Sequence, residues 1–521
     1  MPNFILVHVL LFFFTAVFNV NPWPYILLSV AQLVYIPIML WLLCKERDWF
    51  FRVYPYFAVP AYAAVVIEQI TSSDWDILLA AIYLLFTLYI ALYGIFRFLH
   101  RGFTNLEEFA IDIGLIYLAM GGVWYFAFIA EIDLGFSPLL TWLTAIHFHY
   151  SAFLLPIFSG LIGRFHTSRL YRSSTAALLV APMVVAIGIT FSRWIEAGSV
   201  LLYVYGLAGI ILIAWKLPFS NSLQKWLIRL SFTALAVTIS FSALYVLSNG
   251  FGLFSVTIDF MLRFHGVLNC IVFALLGIVG WSLAIPPSRF KPHSFPISQI
   301  RGRQFAERIG EIGRHRGLSD DLSVYELKSV NLSSQIIDFY ENTTDYRLRA
   351  SVNWHAWFKP FAFLYSFISK RTQQINLPFS NKKVEMTGSI YTLYDGLDGR
   401  ENVRAWERKV VDETIFTALY SQHETNGRMY MNIALPLPFT TMTGILELCS
   451  AGEDLRLTSN RSEPSSDAGV YVSVGSEGLF KLPLQEDFLI QDVGNGYLKA
   501  THTMRIFALP FLTIEYSIVR F

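Results

Sequence analysis

Two histidines in the middle of an apolar segment are the residues of this sequence best suited to chemistry. His147 and His149 lie in the stretch WLTAIHFHYSAFLLPIFSGLIGR, residues 142–164, which is long and apolar enough to cross a bilayer. Lipid cannot solvate an imidazole at that depth, so a partner or a function is expected for each ring. Histidine acts as a general base, a proton relay or a metal ligand near neutral pH. We therefore expect any site within the membrane to include these two residues.

A second group of polar residues interrupts another apolar segment, DFMLRFHGVLNCIVFALLGIVGW, at residues 259–281. His265 and Asn269 are one helical turn apart on one face, and so are Asp259 and Arg263. His265 is therefore a third candidate catalytic residue or metal ligand. Asp259, Arg263 and Asn269 are candidates to line a cavity or to form an ion pair.

Helix geometry limits how these histidines bind a metal. Side chains two positions apart on a helix point about 200° apart, so His147 and His149 do not readily hold one ion. His265 could complete a shared site from another helix, although the helical rise places it roughly 7 Å nearer the outer surface. Three alternatives stay open: interior residues that are hydrogen-bonded or line a polar cavity, ligands of a metal or haem, and a proton relay.

The elements that must position these residues are membrane spans. The 521 residues are 55% hydrophobic and only 15% charged, with a mean hydropathy of +0.49, which is too apolar for a soluble protein of this size. A net charge of +1 gives no indication of a nucleic-acid partner, and three scattered cysteines support neither disulfides nor a cysteine metal site. Apolar runs predict ten spans, at about 3–20, 24–44, 53–70, 76–97, 108–130, 135–162, 174–192, 198–215, 224–247 and 261–285.

Basic residues after every second span predict the orientation. The alternate loops are acidic or balanced, as at Glu131 and Asp133. By the positive-inside rule, both termini and everything after residue 286 are expected to face the cytoplasm. The basic residues concerned are Lys45, Arg47, Arg52, Arg97, Arg101, Arg164, Arg169, Arg172, Lys216, Lys225, Arg229, Arg289 and Lys291.

The second half of the chain has a different pattern. We expect a membrane domain over 1–285, a basic juxtamembrane linker over 286–324 and a β-rich domain over 325–521. The linker contains IRGRQFAERIGEIGRHRGLS, a basic amphipathic pattern that suits anionic headgroups or a solvated connector helix. Short alternating segments such as NVRAWERKV and RMYMNIALP, separated by turns, predict an antiparallel barrel or sandwich with one or two helices. A barrel beside a membrane could enclose one apolar ligand, naturally a lipid.

One stretch of the β-rich domain is unusually aromatic. LRASVNWHAWFKPFAFLYSFISKR, residues 348–371, combines tryptophan and phenylalanine with Lys359, Lys370 and Arg371. Such a segment is either a core helix or a helix lying in the membrane interface. We favour the interface.

Several motifs resemble a known family. HFHYSAF followed by LIGRFH, the later RFHGVLN, and the C-terminal WFKPF, NLPFSN, DGRENVRAWERK, YMNIALPLP, MTGIL and LPFLTIEY resemble the YndJ-like membrane proteins of Bacillus and its relatives. The resemblance covers nearly the whole chain. It implies a multi-pass protein of the bacterial plasma membrane with a C-terminal domain of unknown function, and it brings no established activity and no catalytic residues.

The leading hypothesis is a lipid-handling membrane protein, in which the helices hold a polar cavity near His147, His149 and His265 and the β domain binds or senses an amphiphile. One alternative is a membrane enzyme that uses these histidines as general base or as ligands of metal or haem. Another is a transporter or permease with a gating β domain, and a structural role without a ligand is also open. The expected partners are membrane lipids and a hydrophobic small molecule, with no nucleic acid.

Overall fold

The computed structural model describes residues 2–44, 49–252, 255–302, 313–325, 332–372, 374–411, 413–463, 465–474 and 478–521. The chain divides into two compact units. The first consists of Met1–Phe98 and Asn105–Phe290, and the second of Leu99–Thr104 and Lys291–Phe521. The predicted basic amphipathic helix falls largely on 303–312 and so lies outside the described residues.

The first unit is helical, as the apolar runs predict. Within the described residues, nine helices are long and apolar enough to cross a membrane. The first predicted span is also a helix, α1 (Pro2–Phe18), but its 17 residues are at the short end of spanning length. The nine longer helices are α2 (Tyr25–Leu43), α3 (Trp49–Ile70), α4 (Asp76–Leu99), α5 (Leu106–Ile129), α6 (Pro138–Phe165), α7 (Arg169–Phe191), α8 (Trp194–Lys216), α9 (Ser222–Ser248) and α10 (Ile258–Leu283).

Helix α6 carries the two histidines and is not a regular α-helix throughout. It begins after Ser137, whose hydroxyl accepts a hydrogen bond from the Leu140 N–H at 3.3 Å, and Pro138 suits the first turn because it has no N–H to satisfy. Tyr150–Leu154 then forms a π-helical turn immediately after the histidine pair. Such turns hold an extra residue and are frequent at functional sites.

Helices α2 and α10 are distorted in the same way. Ala31–Tyr35 is π-helical in α2, and Met261–Gly266 and Leu268–Phe273 are π-helical in α10. The rings of Tyr35 and Tyr150 meet edge to face with centroids 6.1 Å apart. The distorted turns of α2 and α6 therefore contact each other in the interior, and those of α10 hold Arg263, His265 and Asn269.

The second unit contains a closed antiparallel β-barrel, which confirms the prediction of a mainly-β domain and decides for a barrel over a sandwich. Ten strands follow one another around it in the order β2, β3, β4, β5, β6, β7, β8, β11, β12, β13, and β13 pairs again with β2. Strand β9 branches from β7 and carries β10, and β1 pairs with β3. The strands are β1 (Arg314–His315), β2 (Tyr346–Trp354), β3 (Val384–Thr392), β4 (Arg404–Val410), β5 (Glu413–Thr425), β6 (Arg428–Pro436), β7 (Thr440–Ala451), β8 (Asp454–Thr458), β9 (Gly469–Val474), β10 (Gly478–Lys481), β11 (Leu484–Gly494), β12 (Tyr497–Ile506) and β13 (Leu509–Arg520).

Alternation along each strand separates the barrel interior from its surface. Strand β2 reads YRLRASVNW, and its odd members, Tyr346, Leu348, Ala350, Val352 and Trp354, are buried while those between them are more exposed. Successive side chains of a strand point to opposite faces, so this pattern places the apolar set inside. Three helices accompany the strands: α11 (Ser334–Glu341), α12 (Lys359–Thr372) and α13 (Asp395–Asp398).

The second unit also includes a short segment from far earlier in the chain. Residues 99–104 begin at the last residue of α4, and Gly102 forms a parallel bridge with Lys481 at the end of β10. The Phe103 N–H donates to the Lys481 carbonyl at 2.9 Å. Gly102 has φ +58°, and a Cβ there would collide with the Lys481 backbone, so this position requires glycine.

Candidate functional site

His149 is fully buried where α6 passes α4. Its Nδ1 lies 2.7 Å from the Ala145 carbonyl, and its Nε2 lies 2.7 Å from the Tyr83 hydroxyl. A carbonyl only accepts, so Nδ1 carries the proton and Nε2 accepts from the tyrosine. Gly121 on α5 makes room for the ring, since a Cβ there would lie 2.7 Å from Nδ1.

Polar side chains continue from His149 toward the end of α3. The rings of Tyr83 and Tyr125 lie 5.5 Å apart edge to face, and the Tyr125 hydroxyl donates to Glu68 Oε2 at 3.1 Å. The Gln69 amide donates to the same oxygen at 2.5 Å. These side chains were not among the sites predicted from the sequence, because tyrosines are common in apolar runs. The signal available was the buried Glu68 and Gln69 pair at the end of a span.

His147 points away from His149, as the helix geometry predicts. Its Nδ1 lies 2.7 Å from the Leu143 carbonyl, and its ring centroid is 6.4 Å from that of His265. The three candidate histidines are thus divided: His147 and His265 face each other, whereas His149 is bound to Tyr83.

Helix α10 orients His265 through Asn269. The Asn269 amide nitrogen lies 3.0 Å from His265 Nε2, and its oxygen accepts from the Thr238 hydroxyl at 2.9 Å. Asp259 and Arg263 form the ion pair that their spacing predicts, at 2.8 Å, but their side chains are 64% and 60% exposed. An exposed pair of this kind contributes little stability.

Among the described residues, no further metal-ligating side chains complete a site around these histidines. No group of three His, Cys, Asp or Glu in that part of the chain could hold an ion. The pairing of His147 with His265 supplies two nitrogens at most, because His149 has its own partner. A metal or haem role for the three histidines stays a prediction.

A buried network of charges joins α4, α5 and α6. Arg97 Nε donates to Asp112 at 2.6 Å, and Arg97 Nη2 donates to Glu108 at 3.3 Å. Arg164 donates to the two oxygens of Glu108 at 2.7 and 3.0 Å. Among the described residues, each of these two arginines therefore has a carboxylate partner inside the unit. In the sequence, Arg97 and Arg164 indicated orientation only.

The barrel of the second unit encloses a cavity of about 120 Å³. Its lining is mostly aliphatic and aromatic, with Ile490, Ala500 and Ile514 as examples from the strands. Phe339 of α11 and Leu377, which follows α12, add to the lining from outside the barrel. The volume resembles that of an engineered apolar cavity of about 150 Å³ that binds benzene. It therefore suits a small apolar group rather than a whole two-chain lipid.

Arg408 brings a positive charge to the wall of this cavity. It points inward from β4, directly opposite Phe416 of β5, and its guanidinium carbon lies 3.6 Å from the centroid of that ring. The Trp406 ring lies 4.2 Å away on the same strand. Arg408 is buried, its Nε has no hydrogen-bond partner, and no carboxylate of the described residues forms an ion pair with it.

Glu486 and His502 reach the same cavity. Burial raises the pKa of the Glu486 carboxyl to about 7, and that carboxyl has no hydrogen-bond partner among the described residues. His502 stacks on Phe488 with ring centroids 3.7 Å apart, and its Nε2 is also unpaired. Burial and the charge of Arg408 lower the pKa of His502 to about 3, so the ring is neutral at pH 7. Gly444 leaves space for Glu486, since a Cβ there would lie 2.5 Å from the carboxylate.

These three residues were not among the sites predicted from the sequence. The available signal was a charged residue on the apolar face of an alternating strand. In NVRAWERKV, Arg408 shares its face with Trp406, so it had to point toward the interior. Alternation does not show, however, that β4, β11 and β12 face one another across a cavity.

Helix α12 presents an apolar surface outside the barrel. Phe361, Leu364 and Phe367 are more than half exposed, as are Phe363 and Ile368. The helix is attached through the segment before it, where the Trp357 indole donates to the Pro510 carbonyl at 2.9 Å and Phe358 packs on Phe511. Its large apolar side chains therefore do not form the core of this unit.

Comparison with known proteins gives a family for the chain. Residues 26–273 match the family model described as YndJ-like protein. A curated relative from Bacillus subtilis (strain 168), named "Uncharacterized membrane protein YndJ", is 39% identical over 461 residues, which is 84% of this chain and 83% of the relative. No solved structure gives a significant match.

Proposed function

The chain belongs to the YndJ-like family of membrane proteins, and we propose that it handles lipid by binding an amphiphile in its β-barrel. The observation that carries the proposal is the barrel cavity. It is apolar over most of its wall, yet Arg408 Nε and His502 Nε2 bring buried unpaired polar atoms to it. The Glu486 carboxyl also reaches it, without a hydrogen-bond partner among the described residues. Ligand sites have this composition: a hydrophobic wall with a few convergent polar groups.

Buried polar groups without a hydrogen-bond partner lower the stability of a folded protein. More than about 90% of buried polar atoms in folded proteins have a partner, and each buried atom left without one costs about 1–3 kcal/mol. Two such atoms at one cavity, Arg408 Nε and His502 Nε2, would destabilise a barrel that is only a structural element. A ligand with one polar end and one apolar end satisfies both parts of the wall.

The surface of helix α12 favours a bilayer as the source of that ligand. Its exposed phenylalanines and Leu364 form an apolar face, and Lys359 and Lys370 are at its two ends. An apolar face with basic residues at its margins suits a membrane surface with anionic headgroups. Ile375 and Leu377, which follow this helix, line the cavity. We propose that α12 lies in the membrane interface and delivers the amphiphile to the barrel.

The proposal is tested by the molecules that remain bound to the purified full-length protein. The matched variants are Ala500→Phe, which adds a ring inside the cavity, and Lys499→Phe, which adds the same ring to the outer face of the same strand. Organic extracts analysed by mass spectrometry are expected to contain an amphiphile in stoichiometric amount for the wild type and for Lys499→Phe. Ala500→Phe is expected to lose it at least tenfold. Equal recovery from all three folded proteins would contradict barrel binding.

A histidine-dependent reaction in the bundle is the second candidate, favoured by the 6.4 Å approach of His147 to His265. Metal mass spectrometry and visible absorbance of the purified protein test its metal or haem version. A stoichiometric metal or pigment that disappears in a His147→Ala/His149→Ala double variant would support that version. A colourless and metal-free wild type would overturn it.

A further inference from the structure

We propose that the ligand of the barrel is an acid whose anionic group pairs with Arg408 while its apolar part fills the cavity. This inference rests on the proposed function, because it names the chemical class of ligand for the same cavity. It predicts that the protein distinguishes acids from neutral and cationic amphiphiles of equal size.

Arg408 brings a permanent positive charge into the barrel. A guanidinium is always protonated in proteins, so this side chain keeps its positive charge inside the barrel. The rings of Phe416 and Trp406 attract the cation with their faces and recover part of the lost hydration. They do not supply a negative charge, and a buried charge without a counter-charge is strongly unfavourable.

The other titratable groups that face the cavity do not neutralise the charge of Arg408. His502 on β12 is neutral at pH 7. Tyr420 on β5 and Tyr516 on β13 stay protonated, because burial raises the pKa of each hydroxyl. Glu486 on β11 forms no ion pair with Arg408, and burial keeps its carboxyl partly protonated at pH 7. The missing negative charge is therefore left for the ligand.

Another buried arginine of the same strand, Arg404, differs from Arg408 in having a counter-charge. Arg404, four residues before Arg408 on β4, is equally buried, with 8% of each residue exposed. Arg404 does have a carboxylate, because Asp320 lies 2.7 Å from its Nη2. Arg404 therefore has a counter-charge, whereas Arg408, which faces the cavity, has none among the described residues.

The geometry of the guanidinium group indicates which anions can pair with Arg408. Guanidinium groups donate two parallel N–H bonds to a carboxylate or to a phosphate, so both acids fit Arg408. A cavity of about 120 Å³ admits a short or narrow apolar stem. The shared chemistry is an anionic group on an alkyl chain, as in a fatty acid or a phosphate monoester.

The experiment uses the full chain in nanodiscs of phosphatidylcholine, with empty nanodiscs as background, and measures binding of four six-carbon probes by calorimetry. The probes are hexanoate, hexyl phosphate, hexanol and hexylamine. Wild type is expected to bind hexanoate or hexyl phosphate at least tenfold more tightly than hexanol, and hexylamine most weakly. The tighter of the two acids identifies a carboxylate or a phosphate ligand.

Variants separate this inference from the proposed function. Arg408→Gln is expected to lose the preference for acids but to keep hexanol binding, and Arg404→Gln is expected to keep the preference. Arg408→Lys retains the charge and serves if the glutamine variant does not fold; it should prefer acids. Acid and alcohol binding with equal affinity in wild type, or an unchanged preference in Arg408→Gln, overturns the inference alone. Probe binding that Ala500→Phe leaves intact overturns the proposed function as well.

Discussion

The two units of this protein treat buried charge in opposite ways. In the helical unit, Arg97 and Arg164 each pair with carboxylates, Glu108 and Asp112, at 2.6–3.3 Å. In the barrel, Arg408 has aromatic rings beside it, and no carboxylate of the described residues forms an ion pair with it. A buried pair with its partners in place serves the structure, whereas a buried charge left open toward a cavity indicates that a molecule from outside completes it. The comparison assigns a structural role to the first arrangement and recognition to the second.

The largest expected effect comes from breaking the buried ion-pair network of Arg97, Glu108 and Asp112. Arg97→Met leaves Asp112 and Glu108 without one of their cations, and removing one member of a buried ion pair costs about 3–5 kcal/mol. Thermal unfolding in detergent and the amount of protein in the membrane measure the loss. Arg263→Met, at the exposed pair with Asp259, is the control and should cost less than about 1 kcal/mol. Equal losses in both variants would remove the structural half of the comparison.

The next effect concerns Glu486 in the barrel. Its folded pKa of about 7 lies above the ordinary value of 4.5, so the folded state holds its proton more tightly than the unfolded state. Stability from this group is complete below pH 4.5, falls as pH rises toward 7 and is constant above that. The difference amounts to about 3 kcal/mol at 1.36 kcal/mol per pKa unit.

Glu486→Gln tests that dependence. The variant cannot ionise, so the difference in unfolding free energy between wild type and variant should change with pH across this range and nowhere else. Unfolding measured at pH 4, 5, 6, 7 and 8 gives the profile. A difference that does not change with pH would mean that water or a bound group already solvates the carboxyl.

A smaller effect is expected at the His149 hydrogen bond. Tyr83→Phe removes the hydroxyl 2.7 Å from Nε2 and leaves that buried nitrogen unpaired, at a cost of about 1–3 kcal/mol. Adding His149→Phe removes the unpaired nitrogen, so the double variant should cost less than the sum of the two single changes. Thermal unfolding of the four proteins measures the coupling. Strict additivity would show that the two side chains do not stabilise each other.

The smallest change in stability is expected on α12. Leu364 is exposed, so Leu364→Cys should change the free energy of unfolding by less than about 0.5 kcal/mol. A nitroxide attached there should be more accessible to oxygen, which concentrates in lipid, than to a water-soluble nickel complex. Val493→Cys, at an equally exposed valine of β11, is the control and should show the reverse. A water-like label at both positions would contradict the interfacial position of α12.

The sequence predicts those features of this molecule that depend on local pattern. All ten apolar runs are helices, and the alternating segments are strands, because each pattern is set by the period of its own element. The divergence of His147 and His149 follows from 100° per residue in the same way. The barrel's closure through β7 and β8 joins strands by long-range pairing, which alternation does not encode. The open charge of Arg408 depends on that closure, and so it was visible only in three dimensions.

The bridge between Gly102 and Lys481 has a consequence for how the protein is made. The segment that contains Gly102 leaves the ribosome before most of the membrane helices, whereas β10 is synthesised after all the described ones. The Gly102 segment can therefore pair with β10 only after Lys481 has been synthesised. A transcript that encodes only residues 291–521 lacks one part of the unit, and a chain stopped before Gly478 leaves the other part without its partner. Pairing of the Gly102 segment is therefore a late event that requires the chain through β10.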